Sequence, residues 1–317
     1  MTTEKESKPT LATTEHSSGQ LGNGIFQLLT SDFTFKKVFG MDNPGNFLLD
    51  FLNCALGAYV GTITEIQYLP TELMGIVPAQ RGVVFDIYCR NQNDDRFLIE
   101  MQRAPQQDFV ERTFLNMSRA ISNASRKGSD HKIKAFYSLN ILDFKLPAFN
   151  NDTKVFHACF VKNEDNEILS PKVAFFYINL CNFANWQSGL SERFRNWLFM
   201  FTNMHKLTEE DYKRQESYFK KLLDDCRINN LTEVEMREYE KSITESEAVK
   251  ASLKYVEELA YQRGIAEGEA KGEAKGEAKG EANAKLAIAS LLLAQGVSLE
   301  IITNTTGLTA KEIGIEE

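Results

Sequence analysis

The chain has 317 residues, 43% hydrophobic and 25% charged, which suits a packed globular protein and excludes a wholly disordered one. Its net charge of −8 excludes a generic polyanion binder, so any nucleic-acid surface must be a local patch. Five scattered cysteines (Cys54, Cys89, Cys159, Cys181 and Cys226) form no CxxC pair, and the four histidines have no ligand spacing. Reduced thiols in the cytoplasm fit better than a disulfide framework or a zinc site.

Residues 1–22 are polar and lack the apolar stretch of a signal peptide, so they are expected to be disordered. No later run is long enough to span a membrane. From Ser31 the pattern is helical: Ser31 or Asp32 caps DFTFKKVFG, with Phe35, Val38 and Phe39 on one face and Gly40 as the stop. A second helix, NFLLDFLNCALG, buries Phe47, Leu48, Phe51, Leu52 and Leu56 and is expected to stop at Gly57. A short strand around Ile63–Leu69 follows, then a loop bounded by Pro70 and Pro78.

The stretch RGVVFDIYCR–NQNDD–RFLIEMQR, residues 81–103, has two β-prone runs around a polar turn, the pattern of a hairpin. Alternation puts Val83, Phe85, Ile87 and Cys89 on one face and Val84, Asp86 and Tyr88 on the other. A turn centred on Asn93 sets Asp86 directly across from Glu100, with Gln102 pointing into the same space. Two carboxylates so placed repel each other unless a divalent cation joins them. The competing reading is a half-buried hairpin with a solvated polar face, the commoner case for such a short motif, and a bulge or an even loop would separate the two acids.

Residues 106–127 read as a helix with Phe109, Phe114, Met117 and Ile121 on its apolar side. Arg112, Arg119 and Arg126 recur every seven residues on another side, either as a solvated face or as phosphate contacts. From Arg81 to Lys134 there are ten Lys/Arg against seven Asp/Glu, a local excess of positive charge. Strands are expected at 133–144, 155–161 and 173–180, giving one mixed sheet with helices packed on it and no phosphate-binding glycine loop.

From Trp186 the chain is helical and increasingly charged, with a long exposed helix expected over 231–262. Residues 264–282 repeat GEAK, and each glycine costs a helix about 1 kcal/mol relative to alanine, so a marginal helix or a hydrophilic spacer is expected. Two small helices close the chain, AKLAIASLLLAQ and SLEIITNTTGLTAKEI, with Thr309 and Glu312 as a capping-box pair. They have the outline of a helix-turn-helix, but the last helix is short and acidic, which favours protein contact over a major groove.

FKKVFG (35–40), NFLLDFLN (46–53), VVFDIYC (83–89), FLIEMQ (97–102), FVERTF (109–114) and YSLNIL (137–142), in this order, resemble the PD-(D/E)xK nuclease superfamily. The closest similarity is to its recombination-promoting nuclease and transposase branch, over roughly residues 30–185. The resemblance implies an α/β fold, a restriction-endonuclease-like mixed sheet flanked by helices, followed by an α-helical C-terminal region. The expected divisions are a tail (1–22), a nuclease-like core (23–205), a charged helical region (206–262), a GEAK linker (263–282) and a small helical segment (283–317).

The resemblance also implies Mg²⁺-dependent hydrolysis of DNA, with Mn²⁺ as the alternative ion, and a role in transposition or recombination, while the acidic balance and the lack of an obvious base-reading helix argue for low sequence specificity. Asp86 and Glu100 would be the catalytic metal ligands, and Gln102 stands where the superfamily's namesake motif has lysine. Arg112 is then a candidate for the missing positive charge, and Arg112 with Arg119 for DNA contact. Asp32, Asp50 and Glu65 are unranked candidates for a third ligand. A homo-oligomer through the C-terminal helices is the expected assembly. The alternative is a catalytically silent DNA-binding or scaffolding protein that keeps the fold.

Overall fold

The computed structural model describes residues 24–41, 43, 45–73, 82–106, 108–124, 133–149, 153–185 and 188–315. The tail over 1–22, the second half of the Pro70–Pro78 loop and Arg126 lie outside them. The chain divides into two compact units, Met1–Lys250 and Ala251–Glu317.

In the first unit α1 (Asp32–Phe39) starts where Ser31 Oγ accepts the Thr34 N–H and ends where Gly40 N–H returns to the Lys36 carbonyl. A Cβ at position 40 would collide with that carbonyl, which explains the glycine. α2 (Phe47–Val60) runs through Gly57 and stops three residues later than expected. Gly61, at φ 79°, takes the conformation that costs glycine least, whereas Gly57 is an ordinary helical residue.

Six strands form one mixed sheet: β1 (Ile66–Tyr68), β4 (Ile87–Asn91), β5 (Arg96–Gln102), β6 (Phe136–Leu142), β8 (Val173–Asn179) and β7 (Phe156–Phe160), in that spatial order. β5, β6 and β8 are parallel, while β1, β4 and β7 run antiparallel to their neighbours. β2 (Glu72–Leu73) and β3 (Val83–Val84) pair separately. The parallel step from β5 to β6 is bridged by α3 (Phe109–Ala124), as a parallel connection requires.

The two faces of the sheet bury different cores. Phe97, Ile99 and Met101 of β5 pack with α1, α2, α4 (Glu192–Asn203) and α6 (Ser217–Asp225), around the fully buried Trp197, Phe39 and Phe51. Leu98 and Phe136 pack with Phe109, Met117 and Ala120 of α3. Between α4 and α6, α5 (Glu209–Arg214) breaks off at Gln215, so EEDYKRQESYFKKLLDDC is two helices. The expected strand at 63–69 shrinks to β1, because Ile63 N–H and C=O are bound by the Asn53 side chain instead of a strand.

α7 (Glu233–Ala294) belongs with the first unit as far as Lys250. There Lys37 pairs with Glu235, Tyr239 Oη accepts the Leu28 N–H, and Arg103 pairs with Glu247 and Ser246. Residues expected in both the core (23–205) and the charged helical region (206–262) therefore contribute to this unit. Within the second unit the GEAK stretch is helical, not a loose spacer, and exposed. Ion pairs form where the strict repeat is broken, Glu267–Lys271 and Glu281–Lys285. α8 (Leu299–Thr306) is shorter than expected because Gly307, at φ 73°, ends it; Thr309 and Glu312 make their capping bonds in a following turn. Ala289 and Ile302 are fully buried in this unit. Among the described residues no helix is long and apolar enough to cross a membrane.

Candidate active site

The hairpin fixes the site. Ile87 pairs with Ile99, Tyr88 with Leu98 and Cys89 with Phe97, and the turn closes with Asn91 N–H donating to Asp95 O. This is the register centred on Asn93, with no bulge in the paired residues, so Asp86 and Glu100 fall opposite each other just beyond the last pair.

The strand is broken there. Val83 and Phe85 pack on the α3 side with Leu98, whereas Ile87 and Cys89 face the other core. The single face expected for Val83, Phe85, Ile87 and Cys89 is therefore wrong. β3 leaves the main sheet to pair with β2, and Phe85 N–H donates to Thr71 O, which turns the chain at Asp86. The bend lets Asp86 Oδ2 accept the Met101 N–H at 2.8 Å. The remaining oxygen, Oδ1, is left facing the Lys36 ammonium at 3.8 Å.

Asp86 and Glu100 are both held above the ordinary carboxylate range. Burial pushes Glu100 up to about 8 and the Asp86 charge pushes the same way, against Arg112, Gln102 and Lys36. Burial likewise raises Asp86, against the Met101 N–H and the Lys36 charge. Glu100 Oε1 is buried and accepts no hydrogen bond. Next to it in the sheet, Asn140 pairs with Glu100 in parallel register; its side chain is fully buried and its Oδ1 also accepts nothing. Leaving such oxygens unpaired costs about 1–3 kcal/mol each.

Two carboxyls whose charged forms are disfavoured, beside a neutral oxygen that has no donor, fit a hard divalent ion. Among the described residues no group of three or more His, Cys, Asp or Glu could hold a metal. A pair of carboxylates is still the donor set Mg²⁺ commonly uses, with water and phosphate completing its shell.

Around the pair lies a ring of longer side chains. Gln102 Oε1 accepts from Gln106 Nε2 at 3.0 Å, and Gln106 Oε1 in turn accepts from the Arg112 guanidinium. Gln102 therefore keeps its amide N–H₂ free to donate toward Glu100, whose charged form it favours. Arg112 lies over the Phe109 ring and lowers both carboxylates by its charge. Arg119 stands two turns further along α3, on the same side of that helix and away from the carboxylates.

From the opposite side of the sheet α1 contributes Lys36, whose Nζ is 2.7 Å from Asp32 Oδ1 and 3.8 Å from Asp86 Oδ1. Burial disfavours its charge, but Asp32, Asp86 and Glu100 outweigh that and raise it. Of the three third-ligand candidates, only Asp32 reaches this region. Asp50 is committed to Trp197 Nε1 at 2.6 Å and to Arg193 at 3.1 Å, and exposed Glu65 lines a separate cleft with Met41, Asn46 and Tyr68.

Sequence reasoning thus brought Asp86, Glu100, Gln102 and Arg112 together, but missed Lys36, Gln106 and Asn140. The i,i+4 spacing of Asp32 and Lys36 was a readable signal; their approach to a strand fifty residues away was not.

A family model described as PD-(D/E)XK nuclease family transposase matches residues 29–255 of the chain. No curated protein and no solved structure matches it.

Proposed function

The chain belongs to the PD-(D/E)XK nuclease family transposases, and from that premise we propose a divalent-metal-dependent DNA endonuclease of low sequence specificity, associated with transposition or recombination. The observation that carries this reading is the half-buried pair Asp86 and Glu100, side by side in the hairpin register, with the buried Glu100 Oε1 lacking any protein donor. Asp86 and Glu100 are the catalytic acids and would hold Mg²⁺ or Mn²⁺. When bound, the ion supplies positive charge to the scissile phosphate and lowers the pKa of the attacking water.

The chain's own groups do the rest. The Met101 N–H fixes one Asp86 oxygen and leaves the other facing the Lys36 ammonium. Gln102 donates its amide N–H₂ to Glu100 or to the water and, through Gln106, keeps Arg112 facing the phosphate path. Arg112 and Arg119, at helical spacing of seven, form a stripe that follows successive backbone phosphates. Binding through phosphates, with no base-reading helix among the described residues of the first unit, supports low specificity. The C-terminal helices beyond Lys250 are the proposed contact between copies. Five free thiols support a reducing, cytoplasmic location.

The test is cleavage of supercoiled plasmid with Mg²⁺ or Mn²⁺ by the wild type, Asp86→Ala and Glu100→Ala. Metal-dependent nicking lost in both variants supports the reading. A folded wild type that binds DNA but never cuts it replaces the reading with a silent DNA-binding or scaffolding protein.

A further inference from the structure

With glutamine at position 102, the hairpin delivers no positive charge to the scissile phosphate. Among the described residues two cations, Lys36 and Arg112, act on both carboxylates, and they are differently placed. Arg112 is occupied, bound to Gln106 and packed over Phe109. Lys36 is not locked in this way. Its side chain is 46% exposed, and its ammonium lies between Asp32 and Asp86. It reaches the acids from α1, on the other face of the sheet from α3.

We propose that Lys36 is a catalytic residue of the nuclease reaction, its ammonium contacting a non-bridging oxygen of the scissile phosphate and standing in for the lysine that Gln102 replaces. This rests on the nuclease reading above. The ammonium has three N–H donors on a flexible four-carbon stem. Asp32 takes one at 2.7 Å, and Asp86, at 3.8 Å, is an ion pair rather than a hydrogen bond. Donors are therefore left for a phosphate oxygen without releasing Asp32.

The bland alternative is a surface ion pair that merely ties α1 to the hairpin. A pair this exposed contributes little to stability, so that role predicts an almost silent mutation. In the reaction, the water oxygen bonds to phosphorus, the bond from phosphorus to the leaving sugar oxygen breaks, and one water proton ends on that oxygen. The products are a phosphomonoester and an alcohol. Charge accumulates on the non-bridging oxygens as the water arrives, and there a positioned cation is worth most.

The test uses the full chain as wild type, Lys36→Met and Lys36→Arg, with Asp86→Ala as the inactive control. Oligonucleotide cleavage gives kcat and KM, calorimetry gives Mn²⁺ affinity, and thermal melting reports folding. The expected result for Lys36→Met is a kcat lower by about 100-fold or more, with KM for DNA nearly unchanged. Its Mn²⁺ binding should be as tight as the wild type's or tighter, since a neighbouring positive charge has gone, and its melting temperature unchanged. Lys36→Arg should recover part of the rate. A Lys36→Met kcat within about threefold of wild type overturns the proposal, as does a rate loss that tracks lost Mn²⁺ binding. If the wild type binds Mn²⁺ and DNA but does not cut, the nuclease reading itself has failed and takes this proposal with it.

Discussion

The Lys37 ammonium lies 2.8 Å from the Glu235 carboxylate, joining the helix that carries Lys36 to one 198 residues further along the chain. Tyr239 strengthens the join by accepting the Leu28 N–H at 2.9 Å and packing against Phe33. At the other end of the same segment, Lys250 reaches Asp143 at 2.7 Å and Glu247 reaches Arg103, directly after Gln102. The start of α7 thus braces both α1 and the end of β5.

A chain ending at residue 232 lacks this brace and should lose cooperative thermal unfolding, whereas one ending at 255 should keep it. Tyr239→Phe alone should cost about 1 kcal/mol, because the Leu28 N–H is left without its acceptor. Circular dichroism melts of the three proteins check this. Equal melting of both truncations would show that α7 adds nothing to the first unit.

Asp50→Ala should destabilise the protein by about 2–3 kcal/mol, because it strips the partners from the fully buried Trp197 and from Arg193. Cleavage per folded molecule should stay near wild type. Asp32→Ala should do the reverse, sparing stability and slowing cleavage. Denaturant titration alongside cleavage rates separates the two, and a catalytic loss in Asp50→Ala with normal stability would restore it as a ligand candidate.

Gln106→Ala removes the link between Gln102 and Arg112. Its cleavage rate should fall by about tenfold, with the same loss in Arg112→Ala and little further loss in the double variant, since both single changes break one chain. Full additivity of the two effects would mean that the link does not act as a unit.

Glu100 gives a pH dependence whose sign follows from its raised pKa. Without metal, the folded protein keeps a proton on Glu100 at pH values where the unfolded chain has already lost it. That contribution to stability is complete below the unfolded value near 4.5 and is lost as pH rises through about 8. Melting temperature should therefore fall from about pH 5 to about pH 8 in chelator, and Glu100→Gln should flatten the fall. Divalent affinity should move oppositely, rising with pH as the competing proton leaves. Affinity independent of pH over this range would remove Glu100 from the ligand set.

The GEAK glycines need not be glycine for packing. At Gly268, Gly272 and Gly276 nothing stands within 4 Å of where a Cβ would lie. Replacing them with alanine should stabilise that helix by about 1 kcal/mol each, read as a rise in ellipticity at 222 nm and in melting temperature. A fall would reveal a requirement for backbone freedom there.

What the sequence disclosed is local. Alternation and the polar turn pointed to the hairpin and to a register centred on Asn93 that a bulge or an even loop could still have shifted, and i,i+3 and i,i+4 spacing was enough for α1 and α2. The break at Asp86 was hidden because it depends on two remote groups, the Met101 N–H and the β2 strand. Lys36 was hidden for the same reason, its partner lying in another element. The end of α2 was misread because Gly57 and Gly61 look alike in sequence, and only φ distinguishes the one that must be glycine. For the GEAK stretch the sequence left a marginal helix and a hydrophilic spacer open, and the helix is what forms. Each glycine is unfavourable, but the alanine, glutamate and lysine between them are good helix formers.

The brace between α1 and α7 also sets an order of events during synthesis. Residues 25–28 take their partners from Cys226, Arg227, Ile228 and Tyr239, and Lys37 waits for Glu235. At a translation rate of about 5–20 residues per second, the 198 residues separating that last pair take on the order of 10–40 seconds to emerge. Throughout that interval the hairpin can form while the helix bearing Lys36 lacks its anchor. A ribosome-bound fragment, or a product of premature termination, therefore carries the acids without a fixed cation beside them. The spacing of Lys37 and Glu235 along the chain therefore makes the anchoring of α1 one of the last events in the assembly of the first unit.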